Sequence, residues 1–110
     1  MPPTNADVLQ GTLDLLILKA LSAESMHGWG VAQRIQQISR DVLHVNQGSL
    51  YPALHRLEQR GWIAASWGAS DNNRRAKFYS LTVRGRRQLR NEVASWKHYV
   101  AVVTSVLEPG

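Results

Sequence analysis

Apolar side chains recur at the spacing of a helical face in four stretches of the chain. The first stretch runs from about Val8 to Ala23 behind a capping signal at residues 4–7, and apolar positions surround most of it. The second stretch, after a break at Met26-His27-Gly28, runs from about Trp29 to Ser39 and is apolar on one face. A helix that is apolar on nearly every side needs partners on nearly every side, so the first helix indicates contact with a second protein chain.

The third helix lies within SLYPALHRLEQRG, positions 49–61, and contains a proline. Leucines recur along it at intervals of four and three, and Gly61 follows it as a helix-terminating residue. If Asn46 caps this helix, Pro52 lies in the second turn and removes one backbone hydrogen bond. If Ser49 caps it, Pro52 lies in the first turn, where a proline is tolerated. The sequence alone leaves both caps open.

Beyond the third helix the pattern changes to two short strands. WIAASW at positions 62–67 and KFYSL at positions 77–81 contain aromatic and β-branched residues, and the turn-forming segment GASDNNRR separates them. Thr82 then caps a last helix that runs to about Leu107. Two helices followed by a hairpin predict a winged helix-turn-helix, in a mainly α fold with a small β-hairpin (α+β). We expect residues 1–81 to form the DNA-binding domain and residues 82–110 to form a dimerisation helix.

The last helix carries apolar residues at alternating intervals of four and three, which is a heptad seam. The seam is too short for an independent coiled coil, but it is adequate if the first helix packs beside it, from the same chain or from a partner. The alternative is that the seam packs only against the core of its own chain. The predicted dimer interface contains Leu13, Ile17, Leu89, Val93, Trp96, Val100, Val103 and Leu107.

The distribution of charged residues along the chain indicates a candidate binding partner. The chain of 110 residues has a net charge of +5, and seven of its thirteen basic residues lie between positions 74 and 90. No acidic residue falls between Asp71 and Glu92. A segment of one sign is typical of a protein that binds a polyanion, although a solvated basic face gives the same pattern. The absence of cysteine and of an apolar stretch of membrane-spanning length predicts a cytoplasmic protein with no membrane partner.

Three segments, HGWGVAQRI, GSLYPALHRLEQRGWI and NNRRAKFYSLTVRGRRQL, resemble the corresponding segments of the PadR family of bacterial transcriptional regulators. The resemblance extends over nearly the whole chain from about Leu9, and the length is similar to that of the short subfamily, which has a single C-terminal helix. It implies a homodimeric repressor that binds double-stranded DNA at a palindromic operator, and that often releases it when a small aromatic or drug-like molecule binds. It also implies the earlier cap, near Asn46.

The third helix and the wing supply the expected DNA contacts. In a winged helix-turn-helix the third helix enters the major groove with its N-terminal residues against the bases. Arginine in the wing suits contacts with the backbone or the minor groove. Tyr51 has an alternative role as a core aromatic at helical spacing from Leu54, and Tyr79 is expected at the base of the wing. Together with the residues that the resemblance carries over, the predicted DNA-binding set is Asn46, Gln47, Ser49, Tyr51, His55, Arg74, Arg75 and Lys77.

Trp96 is the candidate ligand contact, with Tyr99 beside it. Trp96 lies in the middle of the seam, so a two-fold axis near it would bring two copies of the ring together. Large flat rings pack poorly face to face unless they are offset, and a gap between them could take a planar aromatic guest. The resemblance points the same way, since short members of the family bind aromatic compounds between paired tryptophans. The alternative is ordinary core packing.

Patterns of catalysis and metal binding are absent from the sequence. Its four histidines show no metal-ligand spacing, and no nucleophile elbow, P-loop or dinucleotide fingerprint is present. We therefore expect no enzyme activity, no metal and no cofactor. The competing hypothesis is a winged-helix module for protein–protein assembly, which would have no need of a basic wing.

Overall fold

The structure, a computed structural model, describes residues 10–69 and 72–108. Its elements in chain order are α1 (Gln10–Leu21), β1 (Met26–His27), α2 (Gly28–Ile38), α3 (Gln47–Gln59), β2 (Ile63–Ala69), β3 (Arg75–Leu81) and α4 (Val83–Leu107). This order confirms the predicted α+β winged helix-turn-helix with a long last helix. The predicted capping signal at residues 4–7, the predicted helix start at Val8 and Asp71 of the turn lie outside the described residues.

The predicted break at residues 26–28 contains a short strand that the sequence pattern did not reveal. Met26 pairs with Tyr79 and His27 pairs with Phe78, so that β3 is the central strand of an antiparallel sheet with the order β1-β3-β2. Two residues are too few to show the alternation by which a strand is recognised. His27 also caps α2, because its Nδ1 accepts a hydrogen bond from the backbone N–H of Gly30 at 3.0 Å.

The hydrophobic core lies between α1, α2, α3 and the sheet. The structure corrects the prediction that Leu13 and Ile17 belong to the dimer interface, since these side chains are 4% and 0% exposed in the single chain. Both α2 and α3 pack against α1 and cover that face. The apolar residues that α1 still presents at the surface are Leu15 and Leu16, which are only partly buried.

Asn46 is the cap of α3, which settles the alternative that the sequence left open. Its Oδ1 accepts a hydrogen bond from the backbone N–H of Ser49 at 2.9 Å. Pro52 therefore lies in the second turn, where its ring is exposed and the carbonyl of Gly48 loses its usual donor. Gly61 ends the helix with a φ of 76°, in the left-handed region that favours glycine.

Thr82 caps α4, as the sequence predicted, and also joins that helix to the end of α3. Its Oγ1 accepts a hydrogen bond from the backbone N–H of Gly85 at 2.9 Å. The same hydroxyl lies 2.7 Å from the carbonyl oxygen of Gly61 and 3.0 Å from that of Trp62, to which it can donate. The start of α4 is thus held against the winged-helix core by hydrogen bonds as well as by packing.

The two halves of α4 differ in their surroundings. Leu89 packs on the core, and α4 contacts α1 of the same chain. Beyond Val93 most side chains are exposed, including the large apolar residues Trp96, Tyr99 and Leu107. A 25-residue helix therefore extends from the domain with an apolar end that the single chain does not cover.

Candidate nucleic-acid interface

One face of α3 is buried and the other presents the predicted DNA-binding residues. Leu50, Ala53, Leu54 and Leu57 fill the core, which turns the opposite side of the helix to solvent. Although Pro52 removes one backbone hydrogen bond, α3 is continuous from Gln47 to Gln59, so the exposed side chains continue along one helix from the cap onward. The structure places on this exposed side Asn46, Gln47, Ser49, Tyr51 and His55.

Tyr51 is not a core aromatic, since 45% of it is exposed. Its ring lies against the start of α2, where a Cβ added to Gly28 would come within 2.8 Å of the Tyr51 Cε1. The absence of a side chain at Gly28 thus allows the ring to pack there. Tyr51 therefore packs against α2 and remains partly exposed on the surface of α3.

The wing consists of β2, β3 and the turn between them. The strands pair along seven residue pairs, from Ile63 with Leu81 to Ala69 with Arg75. Tyr79 is buried at its base, as predicted. Toward the tip Arg74 and Arg75 are exposed, and the Arg75 guanidinium carbon lies 4.6 Å from the centroid of the Trp67 ring.

Lys77 joins the wing to α3. Its Nζ lies 3.2 Å from Oε1 of Glu58 and 5.5 Å from the centroid of the Tyr79 ring. The hydrogen bond with Glu58 raises the pKa of Lys77, while burial raises the pKa of the Tyr79 phenol. The ammonium of Lys77 is therefore partly neutralised within the chain, in contrast to a lysine that faces solvent alone.

A cleft of about 710 Å³ connects the exposed face of α3 with the wing. Tyr51 lines it from α3, and Arg74, Arg75 and Lys77 line it from the wing. Two further residues line the cleft, Trp29 and Trp67, which are exposed tryptophans that the sequence pattern did not mark as part of the site. Their proximity to the basic residues depends on the tertiary fold, although a tryptophan within eight residues of two arginines is a signal that could have found Trp67.

A buried ion pair links α3 to α1. Arg56 Nη2 lies 2.7 Å from Oδ1 of Asp14, and the Asp14 side chain is almost fully buried. Such a charge is tolerated in a core only because it is paired and hydrogen-bonded. Asp14 is the one acidic residue in the apolar run LDLLILKAL, and nothing in the sequence pattern predicted its pairing with Arg56.

A second cleft, of about 770 Å³, lies between α1 and α4, on residues remote from the wing. Leu15 and Leu16 form one wall, and Leu89, Val93 and Trp96 form the other. Tyr99 lies near Trp96, with ring centroids 6.3 Å apart and an angle of 39° between the rings. We call this the α1–α4 cleft.

Residues 10–69 and 72–108 contain no group of three or more histidine or carboxylate side chains that could hold a metal ion. Within these ranges no helix has the length and apolar character needed to cross a membrane.

Comparison with known proteins relates this arrangement to one family. The profile of the transcriptional regulator PadR-like family matches residues 17–91. A transcriptional regulator of Mycobacterium tuberculosis is 36% identical over 75 residues, which are 68% of this chain and 66% of that protein. Among solved structures, a PadR-like transcription factor from Bacteroides fragilis is 30% identical, with a TM-score of 0.72 over 88% of this chain and 91% of that one. A PadR-like regulator from Bacillus cereus is 27% identical, with a TM-score of 0.76 over 94% and 98%.

Proposed function

This chain belongs to the PadR-like family of transcriptional regulators, and from this we propose that it is a homodimeric repressor that binds a palindromic operator. The observation that carries the proposal is the cleft in which Tyr51 of α3 faces Arg74, Arg75 and Lys77 of the wing. A helix of this kind fits the major groove, and a basic wing fits the adjacent backbone or minor groove. Arginine and lysine beside a helix that enters the groove supply the charge that holds DNA.

A dimer is proposed because the second half of α4 has no cover in the single chain. Val100, Leu107 and their apolar neighbours are exposed, and a second copy of the same helix has matching residues at the same heptad spacing. Two recognition helices related by a two-fold axis read a palindrome. We therefore assign DNA binding to residues up to 81 and dimerisation to residues 82–110, with Leu15 and Leu16 of α1 replacing the buried Leu13 and Ile17 in the interface.

Binding to the DNA upstream of the protein's own gene tests this function. Fluorescence anisotropy with that fragment and with a scrambled fragment, repeated over a salt series, should show tighter binding to the first. Affinity should fall steeply as salt rises, because each neutralised phosphate releases counterions. Absence of binding at low salt would refute the repressor and favour the protein–protein assembly module.

Gln47 and Arg75 should have separable effects on that binding. Gln47 lies in the first turn of α3, so Gln47→Ala should lower discrimination at one base pair by about 1–3 kcal/mol per lost base contact. Ser49→Ala is expected to act in the same way. Arg75→Ala, and likewise Arg74→Ala, should weaken binding to all DNA sequences equally. Each should also reduce the magnitude of the slope of log affinity against log salt concentration by about one unit.

The control for these variants removes one arginine charge outside the predicted DNA-binding residues. Arg60 follows α3 at the end opposite to its cap and lies over the Trp62 ring, with 5.2 Å between its guanidinium carbon and the ring centroid. Arg60→Ala should leave both the salt slope and the base preference unchanged. An Arg75→Ala defect confined to one base position would instead make that arginine a reader of sequence.

We further propose that a planar aromatic effector binds at Trp96 and Tyr99 and releases the DNA. The tryptophan is 43% exposed at the α1–α4 cleft, beside the surface assigned to the dimer. Planar cationic dyes or phenolic acids should quench part of the tryptophan fluorescence, and Trp96→Phe should remove that part while keeping the dimer. Trp29→Phe, which changes a tryptophan remote from this cleft, is the matched control. Quenching that survives Trp96→Ala would place the ligand elsewhere.

A further inference from the structure

Trp67 is an exposed tryptophan of the wing that is absent from the predicted DNA-binding residues. It lies on β2, is 60% exposed, and contributes nothing to the core. A single exposed apolar residue is ordinary on a protein surface. Trp67 differs because a cation is held against its ring.

The geometry of the wing brings Trp67 and Arg75 together. Trp67 pairs with Lys77 across the strands, and Ala69 pairs with Arg75, so all four side chains belong to one face of the hairpin. Diagonal neighbours on such a face are within reach of long side chains. Arg75 reaches back along the wing, and its guanidinium carbon lies 4.6 Å from the Trp67 ring centroid.

Arg75 differs from two cations of the wing and α3 that are paired with carboxylates. Lys77 is paired with Glu58, and Arg56 is paired with Asp14. Within the part of the chain that the structure describes, no carboxylate lies within ion-pair distance of Arg75. The ring of Trp67 attracts the guanidinium through its π face and accepts none of the conventional hydrogen bonds that an oxygen would take. With respect to residues 10–69 and 72–108, the N–H donors of Arg75 therefore remain available for an external acceptor.

We propose that Trp67 is a positioning residue of the DNA-binding surface, which holds the Arg75 guanidinium in the orientation that contacts the DNA backbone or minor groove. This rests on the proposed function of DNA binding. A free arginine loses side-chain freedom when it binds, and an arginine already stacked on a ring loses less of it. Both side chains line the cleft that contains Tyr51, so the stack lies on the side of the wing that faces the DNA.

The test is a double-mutant cycle in DNA binding, measured by anisotropy on the operator fragment. Trp67→Leu keeps an apolar side chain and removes the ring, and it should weaken binding about two- to five-fold, the range of an exposed cation–π contact. Trp67→Phe retains a ring and should recover most of that loss. In an Arg75→Ala background, Trp67→Leu should have no further effect, because the two residues act as one unit.

A second measurement does not depend on DNA. The Cδ protons of Arg75 should show an upfield ring-current shift in NMR spectra of the wild type, and Trp67→Leu should abolish it. Arg60 makes a separate cation–π contact with Trp62, so Arg60→Ala should leave the Arg75 shift unchanged.

Each outcome decides the proposal. Additive effects of Trp67→Leu and Arg75→Ala, equal losses for Trp67→Leu and Trp67→Phe, or the absence of a ring-current shift would overturn it while leaving DNA binding intact. Failure of the wild type to bind any DNA would overturn the proposed function and this proposal with it. A folded Trp67→Leu protein, judged by its thermal transition, that binds as tightly as the wild type would overturn the role of Trp67 alone.

Discussion

Replacing Gly85 with alanine is expected to lower the free energy of unfolding by about 4 kcal/mol or more, which is among the largest effects of a single substitution. A Cβ at this position would lie 1.9 Å from the carbonyl oxygen of Trp62 and 2.8 Å from a methyl carbon of Leu81. The oxygen belongs to the backbone and cannot turn away. It also accepts the backbone N–H of Thr82 at 3.1 Å, so a shift would break the contact that anchors α4. Urea denaturation followed by circular dichroism measures the change.

Gly30→Ala is the matched control for Gly85→Ala. Gly30 occupies the same place in α2, the third helical residue, and donates its N–H to the side chain of the capping His27. A Cβ there would meet its nearest atoms at 3.4 Å, an ordinary contact. We expect a neutral or stabilising effect of up to about 1 kcal/mol, because alanine is the better helix former. Similar stabilities for the two variants would show that α4 is not held closely against residues 61–62.

A glutamate at Val103 is expected to convert the proposed dimer into a monomer, with a dimer dissociation constant raised at least about 100-fold. Val103 lies in the heptad seam of α4, one turn beyond Val100, in the half of the helix that the single chain leaves largely uncovered. A carboxylate buried there without a partner loses its hydration. For the two carboxylates of a dimer this desolvation costs several kcal/mol of association free energy. Sedimentation velocity at micromolar protein concentration measures the change of state. Val100→Glu should act in the same way.

The control adds the same charge to the opposite face of the helix. Ser105 is exposed and lies two residues beyond Val103, roughly half a turn away from the seam. Ser105→Glu should leave the dimer intact. A well-folded wild-type monomer at micromolar concentration, or a Val103→Glu variant that sediments as a dimer, would contradict the proposed interface. DNA binding gives a second readout, because a monomer engages only one half of a palindrome and should bind the operator much more weakly.

The sequence by itself determined the features that depend on neighbouring residues. Helical periodicity and a capping threonine gave the start and end of α4 at Val83 and Leu107, as the structure has them. The change from helical spacing to short strands placed the hairpin, although both strands run two residues closer to the turn than predicted. The leucine spacing of α3 predicted which of its faces is exposed. The position of the arginines after the turn of the hairpin predicted that they belong to the wing. Their role in DNA binding stays a proposal.

Only the tertiary structure decided which residues far apart in the chain meet. It paired β1 with β3, buried Leu13 and Ile17 beneath α2 and α3, and joined Asp14 to Arg56 over 42 positions. It also brought Lys77 to Glu58 and turned Tyr51 outward over Gly28. The physical reason is that periodicity and capping are energies of local contacts, which a sequence displays directly, whereas burial and long-range pairing depend on how the finished elements pack together.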